Sequence, residues 1–513
     1  MIQRLMIAAA MVGTSASFAG TTECTPQQTA KLTADDGAAD DNYGWSVDIS
    51  EGVAVIGAYQ DDDNGDRSGS AYVFEQSVDG TWQQTAKLMA NDGAEDDRFG
   101  FDVAISNGVA VIGAHRDDDN GSNSGSAYVF EQLVDGTWQQ TDKLTANDGA
   151  SNDSFGDAVA ILNGVVFIGA YRDDDNGSSS GSVYVFKQLK DGTWQQIDKL
   201  TADDGASNDS FGSSIAISNG FAVIGSDGDD DNGSASGSAY VFEQLVDGTW
   251  QQAAKLTAND GAEQDRFGFS VSISDGIAVI GNYGDDAFTG SAYVFEQSVD
   301  GTWQQTTKLM ADDGTEGDLF GQSVAISNGV AAIGAKYNAE NGDFSGSAYI
   351  YQRLSDGTWQ QTAKITADDG VTEDLFGQSV AISDGVAIIG AHKNSGNVDF
   401  SGSAYVFDQL NTDCNQNGIC DFDEIVADPL KDTNTNGILD ECEFGACCIS
   451  TTVVCTITIE HNCLQFGGVW QGLGTTCEES DCPTTCLGDV NGDGVVNVND
   501  ILLALEQYGV TCP

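Results

Sequence analysis

One phrase, QQTAKL or a near copy of it, recurs along the whole first part of the chain. Its lysine falls at Lys31, Lys87, Lys143, Lys199, Lys255, Lys308 and Lys364, an interval of 56 residues shortened once to 53. A repeat of this length makes each unit one supersecondary element that buries its apolar surface only against copies of itself. A period near 50 points to propeller blades rather than to helical solenoids.

The content of the unit agrees. From Phe99 onward, FGFDVAIS alternates, NG turns the chain into VAVIGA, a polar loop leads to SAYVF, and VDG leads to TWQQTDKL. Four short strands divided by turn residues are expected in every copy. The second and third runs are apolar on both faces, as strands need when sheets pack on either side. The fourth is read as an outer strand. Strict alternation would set Trp138, Gln140, Asp142 and Leu144 against Gln139, Thr141 and Lys143.

The last unit stops after its third strand, SGSAYVFDQL, while the chain opens on an isolated QQTAKL. That opening segment is expected to be the missing fourth strand, closing the ring and removing its open edges. The FG pairs (Tyr43-Gly44, then Phe99, Phe155, Phe211, Phe267, Phe320 and Phe376 with the glycines that follow) stand at a fixed distance before IGA-like segments. On these motifs residues 24–411 resemble the FG-GAP repeats of integrin alpha chains. The resemblance implies an all-β, seven-bladed propeller. Integrin blades often carry a DxDxDGxxD calcium loop between the first two strands, whereas SNG and SDG turns stand there in this chain. Those calcium sites are therefore not carried over.

Strand alternation places the links between blades and the loops between second and third strands on one face, here called X, and the short turns on the other, Y. The links and loops hold most of the acid in a chain of 80 acidic and 19 basic residues, net charge −61. Such a balance disfavours nucleic acid and anionic membranes and favours cations or basic ligands; a salt-adapted surface would look the same. Asp61, Asp63 and Asp66, or Asp117 and Asp119, are either ligands for a hard cation or solvated turn residues. The residue at the end of the second strand varies: Tyr59, His115, Tyr171, Asp227, Tyr283, Lys336 and His392. It either tunes a binding surface or has drifted on an exposed rim. With three histidines and no nucleophile elbow, the sequence favours a protein that is not an enzyme.

The flanks read differently. Residues 1–19 have the charged start, apolar run and small residues of a signal peptide, with the propeller over 20–411 and no transmembrane span. Residues 412–444 hold two EF-hand-like loops, with Ca2+ ligands expected at Asp413, Asn415, Asn417, the Ile419 carbonyl, Asp421 and Glu424, then at Asp432, Asn434, Asn436, the Ile438 carbonyl, Asp440 and Glu443. They resemble thrombospondin type 3 repeats and suggest a calcium-stiffened stalk. Residues 445–485 form a cysteine-rich module, for which disulfides are favoured over a zinc site at His461. Residues 486–513 resemble half of a type I dockerin, with Asp489, Asn491, Asp493, the Val495 carbonyl, Asn497 and Asp500 as calcium ligands. One half instead of two puts cohesin binding in doubt. Aligning the opening strand with an internal copy brings Cys24 beside Cys414, against a competing local Cys414–Cys420 bond.

The expected whole is a secreted or cell-surface, non-catalytic adhesion protein for an extracellular protein or glycan, with a cell-surface docking partner for its C-terminal module. An extracellular polysaccharide-acting enzyme and a structural envelope component are the alternatives.

Overall fold

The computed structural model describes residues 26–410, apart from 78, 299, 355, 396, 397, 399 and 409, together with three later strands. Residues 26–410 form seven four-stranded antiparallel sheets. In the first blade the strands are Val47–Ser50, Val53–Ala58, Ser70–Gln76 and Trp82–Leu88, and they pair in chain order. The first strands of neighbouring blades contact one another around the axis, so the fourth strand is outermost. A propeller has no single core. Its apolar clusters lie between blades, as where Val73 and Leu88 of the first pack with Val103, Ile112 and Phe130 of the second.

The seventh sheet is closed from the other end of the chain. Its strand order is Gln27–Leu32, Ser403–Asp408, Val386–Ala391, Ser379–Ser383. Gln27 faces Asp408 and Leu32 faces Ala404, the register that Gln83 and Leu88 hold in the first blade. Leu32 and Ala34 then share a cluster with Ile56 and Tyr72 of the first blade and Ile388 and Val406 of the seventh. This is the closure expected from the sequence.

The FG-GAP spelling has a steric cause. Gly100 sits at φ +85°, and a Cβ there would collide with the Ser70 carbonyl of the preceding blade. A Cβ on Gly57 would likewise strike the Gly100 carbonyl. The two glycines of the motif are thus the points where adjacent blades touch backbone to backbone. Phe99, beside the first, is buried edge-on against Tyr128 at 5.4 Å.

One expectation fails. The fourth strand does not alternate throughout, because the register against the third slips at Thr141, where Asp142 faces Val129 but Gln140 faces Phe130. This β-bulge reverses the parity, so Lys143 shares a face with Gln140 and Tyr128. The register slips likewise in the other six blades.

Links and second-to-third loops do meet on face X: the Asp96 and Phe99 amides donate to the carbonyls of Asp66 and Ser68 at 2.8 and 2.9 Å. The chain leaves the propeller on face Y, where the Leu410 amide reaches the carbonyl of Gly385 in a short turn. In the later unit, Phe444–Ile449 pairs antiparallel with both Val454–Ile459 and Val469–Leu473. The calcium-ligand sets, Cys24, Cys414 and the leader lie outside the described residues.

Candidate functional site

The acidic loops of face X are the first candidate, and they prove to be filled. The bulge aims each fourth-strand lysine into the loop of its own blade. Lys255 Nζ lies 2.7, 2.9 and 2.6 Å from Asp204, Asp229 and Asp231, three carboxylates grouped as they would be around a metal ion. Lys87 does the same with Asp36, Asp61 and Asp63, and Lys143 with Asp92, Asp117 and Asp119. Burial opposes the charge on Lys255, but hydrogen bonds to the three aspartates outweigh it and hold its pKa above the ordinary lysine range. The Tyr240 hydroxyl, 3.0 Å from Asp229, completes the lock. Asp61 and Asp117 are therefore neither open cation ligands nor solvated turn residues. They are buried anchors for an internal ammonium.

The lock repeats, but the mouth of the ring on face X does not. It is formed by the residue after each FG pair (Trp45, Phe101, Asp157, Ser213, Phe269, Gln322 and Gln378) and by the variable residues at the ends of the second strands. From the seventh blade to the second, rings follow one another. His392 lies 5.0 Å from Trp45, Trp45 lies 4.8 Å from Tyr59 and 5.7 Å from Phe101, and Phe101 lies 4.1 Å from His115. Burial drives the pKa of both histidines down to about 3, with nearby positive charges adding, so both are neutral. The opposite arc is ionic: Asp157 follows Phe155-Gly156, and Arg266 bonds Asp227 at 3.1 Å. Lys336, buried enough to bring its pKa down to about 8, reaches Gln378 at 3.2 Å.

Outside the mouth, the fifth to seventh blades carry Phe288, Phe344 and Phe400 where the first four have Arg67, Asn123, Ser179 and Ala235. All three phenylalanines are exposed at φ of 54–64°, unusual backbone for so bulky a residue. Phe344 and Phe400, with Tyr337, Leu375, Lys393, Asp40 and Glu373, line a cleft of ≈ 460 Å³.

The FG-GAP repeat description matches residues 26–74, 82–130, 138–186, 194–242, 250–295, 303–351 and 359–407. The chain belongs to the FG-GAP repeat family. No curated protein matches it. Each FG-GAP match begins on a fourth strand and ends on a third, so the first contains the closing strand Gln27–Leu32. The FG-GAP assignment accounts for the glycines and the core, but not for the mouth, where the copies differ.

The inner edge of the FG-GAP propeller also holds partly buried carboxylates that sequence reasoning missed. Asp48 accepts from the Ile105 amide at 2.7 Å, and Asp102 accepts from the Val159 amide at 2.8 Å and the Ser46 hydroxyl at 2.7 Å. They cap amides of the next blade's inner strand, which would otherwise be an open edge. Burial pushes Asp48 and Asp157 up to about 7 and Asp102 to about 6. These groups keep protons when folded that the unfolded chain, titrating near pH 4, has released. Their contribution to stability should therefore fall as pH rises from about 4 to 7, against the opposite contribution of the neutral His115 and His392. Asp157→Asn is expected to flatten this slope by about 1–3 kcal/mol between pH 5 and 8. Urea unfolding of parent and variant across that range would show it; parallel slopes would refute it.

Proposed function

We propose that this protein is a non-catalytic binding or adhesion protein, secreted or held at the cell surface, that meets an extracellular protein or glycan with the mouth on face X. One observation carries the reading. The seven copies agree in core and glycine seams, and four of them in a three-aspartate lysine lock, yet differ at the mouth, where packing asks for no such variety. Binding sites are largely apolar with a few placed polar groups, and the mouth sets the rings of Trp45, Tyr59 and Phe101 on one arc and Asp157 and Asp227 on the other.

The test is a glycan and protein array probed with the full chain. Trp45→Ala is expected to abolish the captured signal and Val246→Ser, on face Y, to leave it intact. The reverse pattern would exclude the mouth. Release of reducing ends from a bound polysaccharide, lost in Asp157→Asn, would turn the reading to the enzyme class.

The rest of the proposal concerns the tail: export behind a signal peptide, Ca2+ in the loops of 412–444 and 486–513, and disulfides in 445–485. Its support is the ligand spacing and the cysteine content. Chelation is expected to open the tail to proteolysis and to leave the melting of the propeller unchanged. A chelator that melted the propeller instead would reverse this division. Among the described residues no helix is long and apolar enough to cross a membrane.

A further inference from the structure

The propeller contains six arginines, and five of them (Arg67, Arg98, Arg116, Arg172 and Arg266) stand on face X around the mouth. None is imposed by the repeat. The equivalents of Arg67 are Asn123, Ser179, Ala235 and the three exposed phenylalanines; those of Arg98 include Asn42, Ser154 and Leu319; those of Arg116 include Gln60, Gly228 and Tyr337. Three of the five converge on one carboxylate. Asp96 lies 2.9 Å from Arg116, 3.4 Å from Arg98 and 3.6 Å from Arg67. The other carboxylate paired with these guanidiniums is Asp66, 3.6 Å from Arg67 and exposed. Burial tends to raise the Asp96 pKa, but the bond to Arg116 and the charges of Arg116, Arg67 and Arg98 hold it below the usual range.

Asp96 and the exposed Asp66 answer two of the three guanidinium charges and leave one over, in a chain where acid outnumbers base about fourfold. The loops hold the cluster in place. Arg67, Asp96 and Arg98 all have left-handed backbone (φ 54°, 68° and 61°), and the Arg98 amide donates to the Arg67 carbonyl at 3.2 Å. Beside it lies an aromatic ledge. The Arg98 guanidinium is 5.5 Å from the Tyr59 ring centre, and Tyr59 packs against Trp45 and Phe101, both partly exposed. Buried next to them is His115, neutral, with an Nδ1 that has no hydrogen-bond partner.

We propose that this cluster recognises an oxyanion carried on a polysaccharide, a uronate carboxylate or a sulfate ester, with Arg98 and Arg116 as its principal contacts. The inference rests on the reading of face X as the binding face. Guanidinium forks match planar or tetrahedral oxyanions in paired hydrogen bonds. The flat C–H face of a sugar ring fits the Trp45–Phe101 ledge, for which a polyglutamate chain has no counterpart. Asp96 is the resident carboxylate, holding the arginines together until a ligand's oxyanion joins or replaces it. The composition of the whole chain argues for basic ligands, and this one site reverses that preference.

Calorimetric titration of the full chain with polygalacturonate and with dextran sulfate tests the proposal and separates the two oxyanions. Neutral dextran and polyglutamate are the controls. At least one of the two charged polysaccharides should bind, more weakly as salt is raised. The double variant Arg98→Gln/Arg116→Gln should lose at least tenfold in affinity at an unchanged melting temperature. Asp96→Asn should bind several-fold more tightly, an effect that a merely structural carboxylate would not produce and that keeps the test alive if the double variant misfolds. Absence of binding to both polysaccharides, equal affinity of the double variant, or polyglutamate binding as tightly would each overturn the proposal. If array ligands are still captured in a Trp45-dependent way, only this inference falls; if capture never depends on face X, the broader reading falls with it.

Discussion

Removal of Gln27–Leu32 is expected to cost the propeller at least about 5 kcal/mol and to lower its melting temperature by several degrees or more. The deletion strips the fourth strand from the seventh sheet and opens the ladder face of Ser403–Asp408. It withdraws Leu32 from the cluster that joins the seventh blade to the first. It also removes Lys31, which binds Asp369 and lies 2.9 Å from Asn394. Deletion of residues 411–513 provides the contrast, with little change in the propeller transition. If the strand-deleted chain melted at the parent's temperature, closure through the N-terminal strand would contribute nothing.

The second large effect is expected from Lys255→Met, at about 3–4 kcal/mol. Asp229 has a side chain only 4% exposed, and the substitution leaves its charge without the ammonium 2.9 Å away. Asp204 and Asp231, half exposed, keep water and lose less. Lys31→Met is the internal control. Its blade has the neutral Asn394 in place of the buried aspartate, so the loss there should be smaller. Equal losses in the two variants, measured by urea unfolding, would mean that the buried charge is not what the lysine serves.

The propeller could be read from the sequence because each determinant repeats. Seven FG glycines, seven apolar strand pairs and one displaced QQTAKL leave little choice of architecture. The lock was not legible in the same way. Lys87, Asp61 and Asp36 are brought together from positions 26 and 51 residues apart, and only the bulge at Thr85 turns the lysine toward them. Strict alternation had set Lys143 opposite Gln140, and a single inserted residue overturned it. The mouth was half legible. Tyr59, His115 and Asp227 showed themselves as the varying position, but Trp45, Phe101 and Asp157 were hidden beside the repeated aromatic-glycine pair. Phe288, Phe344, Phe400 and the arginines had left the same signal, each a departure from its repeat. Net charge is a sum over the chain and does not register five arginines around one opening.

The strand from which the tail departs, Ser403–Asp408, lies between two others, with Gln27–Leu32 on one side and Val386–Ala391 on the other. Had the ring been closed by a C-terminal fourth strand, the tail would hang from the sheet's outer edge. A pull would then peel that strand one hydrogen bond at a time. As built, tension applied through the tail enters an interior strand and must shear two ladders at once. A load entering at Asp408 therefore falls on a strand that is held from both sides.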